Sequence, residues 1–149
     1  MKNLFELETV DEVIARIDAL QPASERQWGK MDVAQMMAHC SITLDIASGK
    51  LKLPRMFIAR IIAPFLKSMY TNDKPFPKNG PTGKDLIVVD KKEFAREQEQ
   101  HKVKIRHFHA CGEAGCTRHP HPFFGSLTPY AWSRGMYKHL DHHLRQFSA

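Results

Sequence analysis

The chain has 149 residues, of which 42% are hydrophobic and 26% charged, and its formal net charge is +6. These values predict a single globular domain over residues 1–149, and no apolar run approaches the ~20 residues that a membrane-spanning helix requires. The basic residues are scattered, which argues against a nucleic-acid-binding surface, while three cysteines and a start without an apolar leader predict a cytoplasmic location.

The first third of the chain predicts two amphipathic helices. Thr9-Val10-Asp11-Glu12 has the form of a capping box, and the apolar spacing after it predicts a helix over Val10–Gln21. Asp32 begins a second capping-box pattern, and this helix should stop at Gly49. His39 lies on the apolar stripe of the second helix, where a buried imidazole needs a hydrogen-bond partner or a metal ion.

The middle of the chain predicts a third helical segment and then a long connection. Residues 54–70 would be apolar around much of a helix's circumference; Pro54 suits a first helical position, and Pro64 should break or kink the helix. This segment is expected either to pack deeply or to form a homodimer contact, and the sequence does not choose. Residues 71–84 are rich in proline and glycine and predict a long crossover, followed by an extended piece at Leu86–Val89.

Two more long helices complete the prediction. Asp90-Lys91-Lys92-Glu93 resembles a third capping box, and it predicts a helix over Lys91–His109 with a charged outer face. Thr128-Pro129 combines a hydroxyl cap with a proline at the first helical position, and the last helix should run to about Phe147. The chain is therefore predicted to be all-α: a four-helix bundle with a long crossover and a short extra helix after the second.

The last helix carries two histidines one turn apart. His139 and His143 are four residues apart, so their side chains lie on one face of the helix, together with Trp132 and Met136. Helical bundles build metal sites from inward side chains on facing helices, and imidazole is the commonest protein ligand for zinc. With His39, the pair predicts three nitrogen ligands to one divalent metal ion and an open coordination position, the catalytic pattern.

Other residues of metal-ligating types lie nearby in the sequence. Cys40 adjoins His39 but should point away from it, at about 100° per residue. Cys111, Cys116, His119 and His121 can be interpreted as a Cys₂His₂ zinc site, although the C-x4-C-x2-H-x-H spacing is unusual for one. We expect instead a loop between helices whose aromatic residues cover the open end of the bundle.

Several motifs together resemble one superfamily. Trp28-Gly29-Lys30-Met31, Gln35-Met36-Met37-Ala38-His39-Cys40 and His139-x-x-x-His143-Leu144-Arg145-Gln146 are similar to the DinB-like (YfiT-like) metalloenzyme superfamily. The His-Pro-Phe-Phe-Gly run at residues 121–125 and the C-terminal segment 138–147 resemble a branch of it known only as a domain of unknown function.

The resemblance implies an up-and-down bundle with a long crossover and a divalent metal ion, zinc or nickel, held by three histidines. These ligands carry over to His39, His139 and His143. The resemblance also implies a small-molecule substrate and a thiol-dependent S-transferase that uses a low-molecular-weight thiol. The chain has Leu144-Arg145 where the superfamily usually has Arg-Gly, and the segment from Cys111 to Cys116 is not typical of it.

Two other functions stay open from the sequence. The first is metal-assisted hydrolysis, for which no general base is identified; His142, His121 and Asp141 are candidates, and Asp141 is expected to pair with a surface charge. The second is a non-catalytic dimeric bundle whose metal is structural or absent. Removing the metal would lower the melting temperature of a structural-metal protein, whereas the fold of the enzyme would largely survive.

Overall fold

The computed structural model describes residues 2–55, 57, 61 and 67–149, and over these residues the fold is all-α. Residues 57, 61 and 67–71 are helical, and single 3-10 turns lie at Lys84–Leu86 and Glu113–Gly115. No described helix combines the length and hydrophobicity that crossing a bilayer requires. The long helices are α1 (Leu7–Asp18), α2 (Val33–Ala47), α3 (Phe94–Cys111) and α4 (Pro129–Gln146).

The four long helices pack around one hydrophobic core, and α1 and α2 each contact both α3 and α4. Along α2 and α3, Ser41 hydrogen-bonds His101, and one turn further on Asp45 pairs with Lys104. These two pairs show that α2 and α3 run in the same direction. Parallel helices cannot be joined by a short hairpin loop, and the connection between α2 and α3, residues 48–93, is accordingly a long crossover.

The start of α1 differs from the prediction. The helix begins at Leu7 with Glu6 at the N-cap, so Thr9 lies inside the first turn and is buried. Its hydroxyl donates to Glu6 Oε2 at 3.2 Å instead of capping the helix. The predicted capping box at Thr9 is therefore wrong, because tertiary burial of this turn outweighs the local sequence signal. The helix also ends at Asp18, short of the predicted Gln21.

The predicted caps of α2 and α4 are confirmed. The Gln35 N–H donates to Asp32 Oδ1 at 2.8 Å, and the Asp32 N–H donates to Gln35 Oε1 at 2.9 Å. Gly49 follows the end of α2 with φ +73, a conformation that favours glycine. At the start of α4, Thr128 Oγ1 accepts the Ala131 N–H at 3.2 Å. Residues 32 and 128 thus set the entry of the two helices that carry the histidines.

The start of α3 is a second correction. Glu93, rather than Asp90, is the N-cap, and its carboxylate accepts the N–H groups of Ala95 and Arg96 at 3.1 and 2.7 Å. The helix therefore begins at Phe94 instead of Lys91. A carboxylate on the cap residue itself satisfies two free N–H groups, which explains why the helix starts after Glu93.

The predicted helix over residues 54–70, with its break at Pro64, lies largely outside the described residues. Pro54 and Arg55 are not helical, so a helix does not start at Pro54. Phe57 and Ile61 are 78% and 68% exposed, so deep burial does not hold for these two side chains. Further on, Leu86 ends a 3-10 turn instead of beginning an extended piece, while Ile87 has extended dihedral angles.

A buried histidine on α3 makes the fold sensitive to acid. Burial, reinforced by the charge of Lys104, lowers the pKa of His101 from 6.5 to about 3. Between these values the unfolded chain takes up a proton that the folded chain does not. The contribution of His101 to the free energy of unfolding should therefore be fully present above pH 6.5. It should decrease on acidification, by up to about 1.4 kcal/mol per pH unit.

We expect His101→Asn to reduce the slope of the free energy of unfolding against pH by the amount that one titrating histidine contributes. Asparagine retains a polar group near Ser41 and does not titrate. Urea unfolding of chelator-treated protein at several values between pH 5 and pH 7.5 measures the slope in wild type and variant. An unchanged slope would show that His101 is not the group responsible, whatever the absolute stability of the variant.

Candidate metal centre

Three histidines meet between α2 and α4. His39 of α2 faces His139 and His143 of α4, and the three ring centroids lie 4.6 to 5.0 Å apart. One ligand nitrogen from each residue lies within 4.8 Å of the other two. In the part of the chain that the structure describes, no other three His, Cys, Asp or Glu residues come together in this way. The sequence-predicted trio thus converges on one point.

The hydrogen bonds of two of these histidines decide which nitrogen carries the proton. His39 Nδ1 lies 2.8 Å from the carbonyl oxygen of Leu86, which can only accept, so Nδ1 is the protonated nitrogen. Gln146 donates its Nε2 to the Trp28 carbonyl at 2.6 Å, which turns its Oε1 towards His143 Nδ1 at 2.8 Å. Nδ1 of His143 must therefore donate as well. In both neutral rings the lone pair is left on Nε2, the nitrogen available to a metal ion.

The third histidine is arranged in the same way. Thr43 Oγ1 donates to the carbonyl of Cys40 at 2.8 Å, so it offers His139 Nδ1, 3.4 Å away, an acceptor. The Nε2 atoms of His39 and His139 are 3.1 Å apart. Two lone pairs at this distance repel unless a cation or a proton lies between them. Two nitrogens bound to one tetrahedral zinc ion at ~2.0–2.1 Å would lie roughly 3.3 Å apart, which fits the separation seen here.

The environment keeps the three imidazoles neutral. His39 and His143 are buried and His139 is half-buried. Burial is the main cause that lowers the pKa of each, and for His139 and His143 the neighbouring imidazoles lower it further. The pKa of His143 falls to about 3, although its bond to Gln146 acts in the opposite direction. Neutral imidazole is the form that binds metal ions, so protons compete little at pH 7.

Comparison with known proteins gives a family and no activity. Over residues 1–149 the chain matches the model of the family described as a protein of unknown function, DUF1569. The chain belongs to this family. No curated protein and no solved structure matches the chain. The predicted resemblance to a domain of unknown function is confirmed at this level, and the functional argument depends on the site itself.

A cavity of about 230 Å³ lies beside the three histidines of this DUF1569 chain. It is lined by residues of α2 and α4, by the crossover and by the loop around residues 121–124. Its walls are mostly apolar, and four of the lining side chains are the aromatic rings of Tyr70, Phe76, Phe123 and Phe124. A small molecule in this space would lie next to the histidine nitrogens.

The three candidate bases have different surroundings. His142 is half-buried and lines the cavity, and burial is the main cause that lowers its pKa. Asp141 instead pairs with Arg16 and Arg145, each at 2.9 Å, which confirms the expected charge pairing. His121 lines the cavity, but its Nδ1 accepts backbone N–H groups, so its other nitrogen carries the proton. Of the three, only His142 lines the cavity without a hydrogen bond or ion pair that would prevent it from acting as a base.

The cysteines of the DUF1569 chain take no part in the histidine cluster. Cys40 Sγ lies 3.8 Å from Met36 Sδ, and Cys40 is not among the residues that line the cavity, whereas His39 is, in line with the prediction that the two side chains point in different directions. Cys111 lies beside His107, and His119 Nε2 lies 3.1 Å from the Leu53 carbonyl. The second group predicted as an alternative zinc site is therefore not assembled. The prediction of a loop whose aromatic residues cover the helices is favoured, since Phe123 and Phe124 pack against the core.

Sequence reasoning missed the residues that orient the ligands, of which Gln146 is the clearest. It lies three residues after His143 on the same helix, so its spacing was a usable signal. Gly29, next to Trp28, belongs to the same support: it has φ +80, and a Cβ there would lie 2.5 Å from Gln146 Nε2. The Trp28-Gly29 pair of the sequence thus allows the backbone to approach Gln146.

Gln146→Leu should weaken metal binding by about 10- to 100-fold, because His143 loses the acceptor that sets its tautomer and orientation. Gln98→Leu is the matched control, since Gln98 also donates to a backbone carbonyl, that of Ile17 at 2.8 Å, but on α3 away from the cavity. Competition against a coloured zinc chelator measures both dissociation constants. Equal losses in the two variants would refute a specific role for Gln146.

Proposed function

We propose that this chain is a DinB-like four-helix-bundle metalloenzyme acting on a small molecule, and that His39, His139 and His143 hold one zinc or nickel ion. The observation that carries the proposal is that one ring nitrogen from each histidine lies within 4.8 Å of the other two, while Nδ1 of each ring has a hydrogen-bond partner. Histidine ligands of metal sites are typically oriented by such bonds. Three protein ligands leave a coordination position open, which suits catalysis more than a structural role.

The cavity beside the histidines supports an enzyme over a structural site. A structural ion needs no space next to it, whereas a substrate does. A divalent ion in this position would supply Lewis acidity and favour the deprotonated form of a thiol or of water. The chain's own residues would bind the substrate, orient it and exclude bulk water.

Thiol-dependent S-transfer is the reaction class that we propose first. No Asp or Glu is found among the described residues lining the cavity, and activation of a thiol at the metal requires no carboxylate base. The alternative, metal-assisted hydrolysis, is favoured by one observation: the His142 ring lies 5.1 Å from the His143 ring and lines the cavity, where it can accept a proton.

Metal analysis of the purified protein tests the proposal. We expect about one equivalent of zinc or nickel per chain after dialysis, with cobalt substitution giving the intense visible bands of a four- or five-coordinate site. Chelation should leave the helical circular dichroism largely intact. A chain that retains no divalent ion would overturn the proposal, and a chain that unfolds on chelation would show that the metal is structural.

A further inference from the structure

Among the residues that the structure describes, no charged side chain lines the cavity beside the histidines. None of its described lining residues is Asp, Glu, Lys or Arg. The nearby Lys138 already has partners: its Nζ donates to the Asn72 side chain at 2.9 Å and lies 4.6 Å from the Phe76 ring centre. Burying an unpaired carboxylate or phosphate among apolar walls is costly. The described walls away from the three histidines therefore favour an uncharged portion of a ligand.

The size and walls of the cavity suit a flat ring. An apolar cavity of ~150 Å³ is large enough for benzene, and this cavity has about 230 Å³. Phe123 reaches it from one loop and packs over Gly83 of the crossover, where an added Cβ would lie 2.9 Å from the Phe123 ring. The two loops thus meet at this contact and bring their aromatic rings to one space.

His121 provides one oriented hydrogen-bond donor at this space. Its Nδ1 accepts the backbone N–H groups of Phe123 and Phe124 at 3.0 and 3.3 Å, so the N–H of the neutral ring is on Nε2. The ring is held by Phe124 and Trp132, with centroids 4.5 and 5.1 Å away. The loop is closed by a reciprocal backbone pair between His121 and Gly125. Among the described residues, His121 Nε2 has no hydrogen-bond partner.

We propose that the cavity binds an uncharged molecule with an aromatic ring and one hydrogen-bond acceptor, such as a carbonyl oxygen, and that His121 Nε2–H donates to this acceptor. The inference rests on the proposed function only in taking this molecule as the substrate, because the binding itself requires no metal. His121 is then a specificity-determining residue: it selects rings that carry an acceptor. A thiol co-substrate with charged groups would keep those groups outside the apolar space.

Three probes of similar size test the proposal by isothermal titration calorimetry: acetophenone, ethylbenzene and benzoate. In chelator-treated protein, where no metal ion can pair with a carboxylate, we expect acetophenone to bind, ethylbenzene to bind about five- to tenfold more weakly because it lacks the acceptor, and benzoate to bind at least tenfold more weakly because it is charged. Each titration is made with chelator-treated protein and with zinc-loaded protein. No binding of acetophenone to either form, or equal binding of all three probes, would overturn the inference.

Two variants assign the donor and the wall. His121→Asn retains an acceptor for the two backbone N–H groups but has no group at the place of Nε2, so acetophenone should lose about five- to tenfold in affinity and ethylbenzene nothing. His119→Asn, in the same loop, is the control and should change neither. Phe123→Leu should weaken both by about threefold through loss of the ring. Unchanged acetophenone binding in both His121→Asn and Phe123→Leu would overturn the assignment.

The metalloenzyme proposal and the cavity inference can be refuted independently of each other. A chain that binds acetophenone with these preferences but retains no divalent ion would overturn the proposed metalloenzyme and support the cavity inference. A chain that holds zinc but does not bind acetophenone would do the reverse.

Discussion

His39→Gln should abolish stoichiometric metal binding, with a rise of more than about 100-fold in the dissociation constant. Loss of an orienting partner alone typically costs 10–100-fold, and loss of a ligand nitrogen should cost more. Among the described residues, no other side chain of ligand type belongs to the group formed by His39, His139 and His143, so none is placed to replace His39. Elemental analysis and chelator competition measure the effect, and the exposed His107→Gln is the matched control.

The same variant should affect stability in a way that a simple packing loss would not. In wild type, zinc at 1,000 times its dissociation constant should raise the free energy of unfolding by about 4 kcal/mol. In His39→Gln this increase should disappear. The stability of the metal-free protein should change little, because the loss of the imidazole contacts is offset by relief of the repulsion between the His39 and His139 lone pairs. Retention of one equivalent of metal with unchanged affinity would refute the assignment of His39 as a ligand.

Gly135→Ala should lower the free energy of unfolding by about 1–3 kcal/mol, the usual cost of overpacking a core. A Cβ at this position would lie 1.9 Å from Tyr70 Cε1 and 2.0 Å from Tyr70 Cζ. The Tyr70 ring is 2% exposed and stacks on Phe124 at 4.3 Å, so it cannot move aside freely. Helix propensity alone predicts the opposite sign, since alanine is favoured over glycine within a helix by about 1 kcal/mol.

Thermal and urea unfolding decide between the two signs. Gly80→Ala is the control, because the nearest atom to a Cβ there is the Pro77 carbonyl oxygen at 3.5 Å, an ordinary contact. A Gly135→Ala protein that is as stable as wild type, or more stable, would show that Tyr70 can be displaced at little cost. Because Tyr70 also lines the cavity, the variant should bind acetophenone more weakly as well.

Local signals predicted α2, α4 and the histidine trio well. The capping bonds of Asp32 and Thr128 depend on residues within one turn, and the face shared by His139 and His143 follows from helical periodicity. The predicted starts of α1 and α3 were wrong for two different reasons: the first turn of α1, which contains Thr9, is buried by tertiary packing, and Glu93 caps α3 with its own carboxylate.

The residues that complete the site were harder to predict for a different reason. The partner of His39 is the backbone carbonyl of Leu86, and no sequence pattern specifies which carbonyl a returning crossover presents. The cavity likewise depends on two loops that meet through Gly83 and Phe123. Such contacts follow from the tertiary path of the chain, which periodicity does not encode.

The separation of His39 and His139 by 100 positions has a consequence for the order of events during biosynthesis. A nascent chain that has emerged only through α3 carries one of the three proposed nitrogen donors, and the proposed site is incomplete until α4 has emerged. The proposed metal site can therefore form only after α4 has been synthesised. We expect chains that terminate before α4 to retain no zinc, whereas chains that include α4 should retain it.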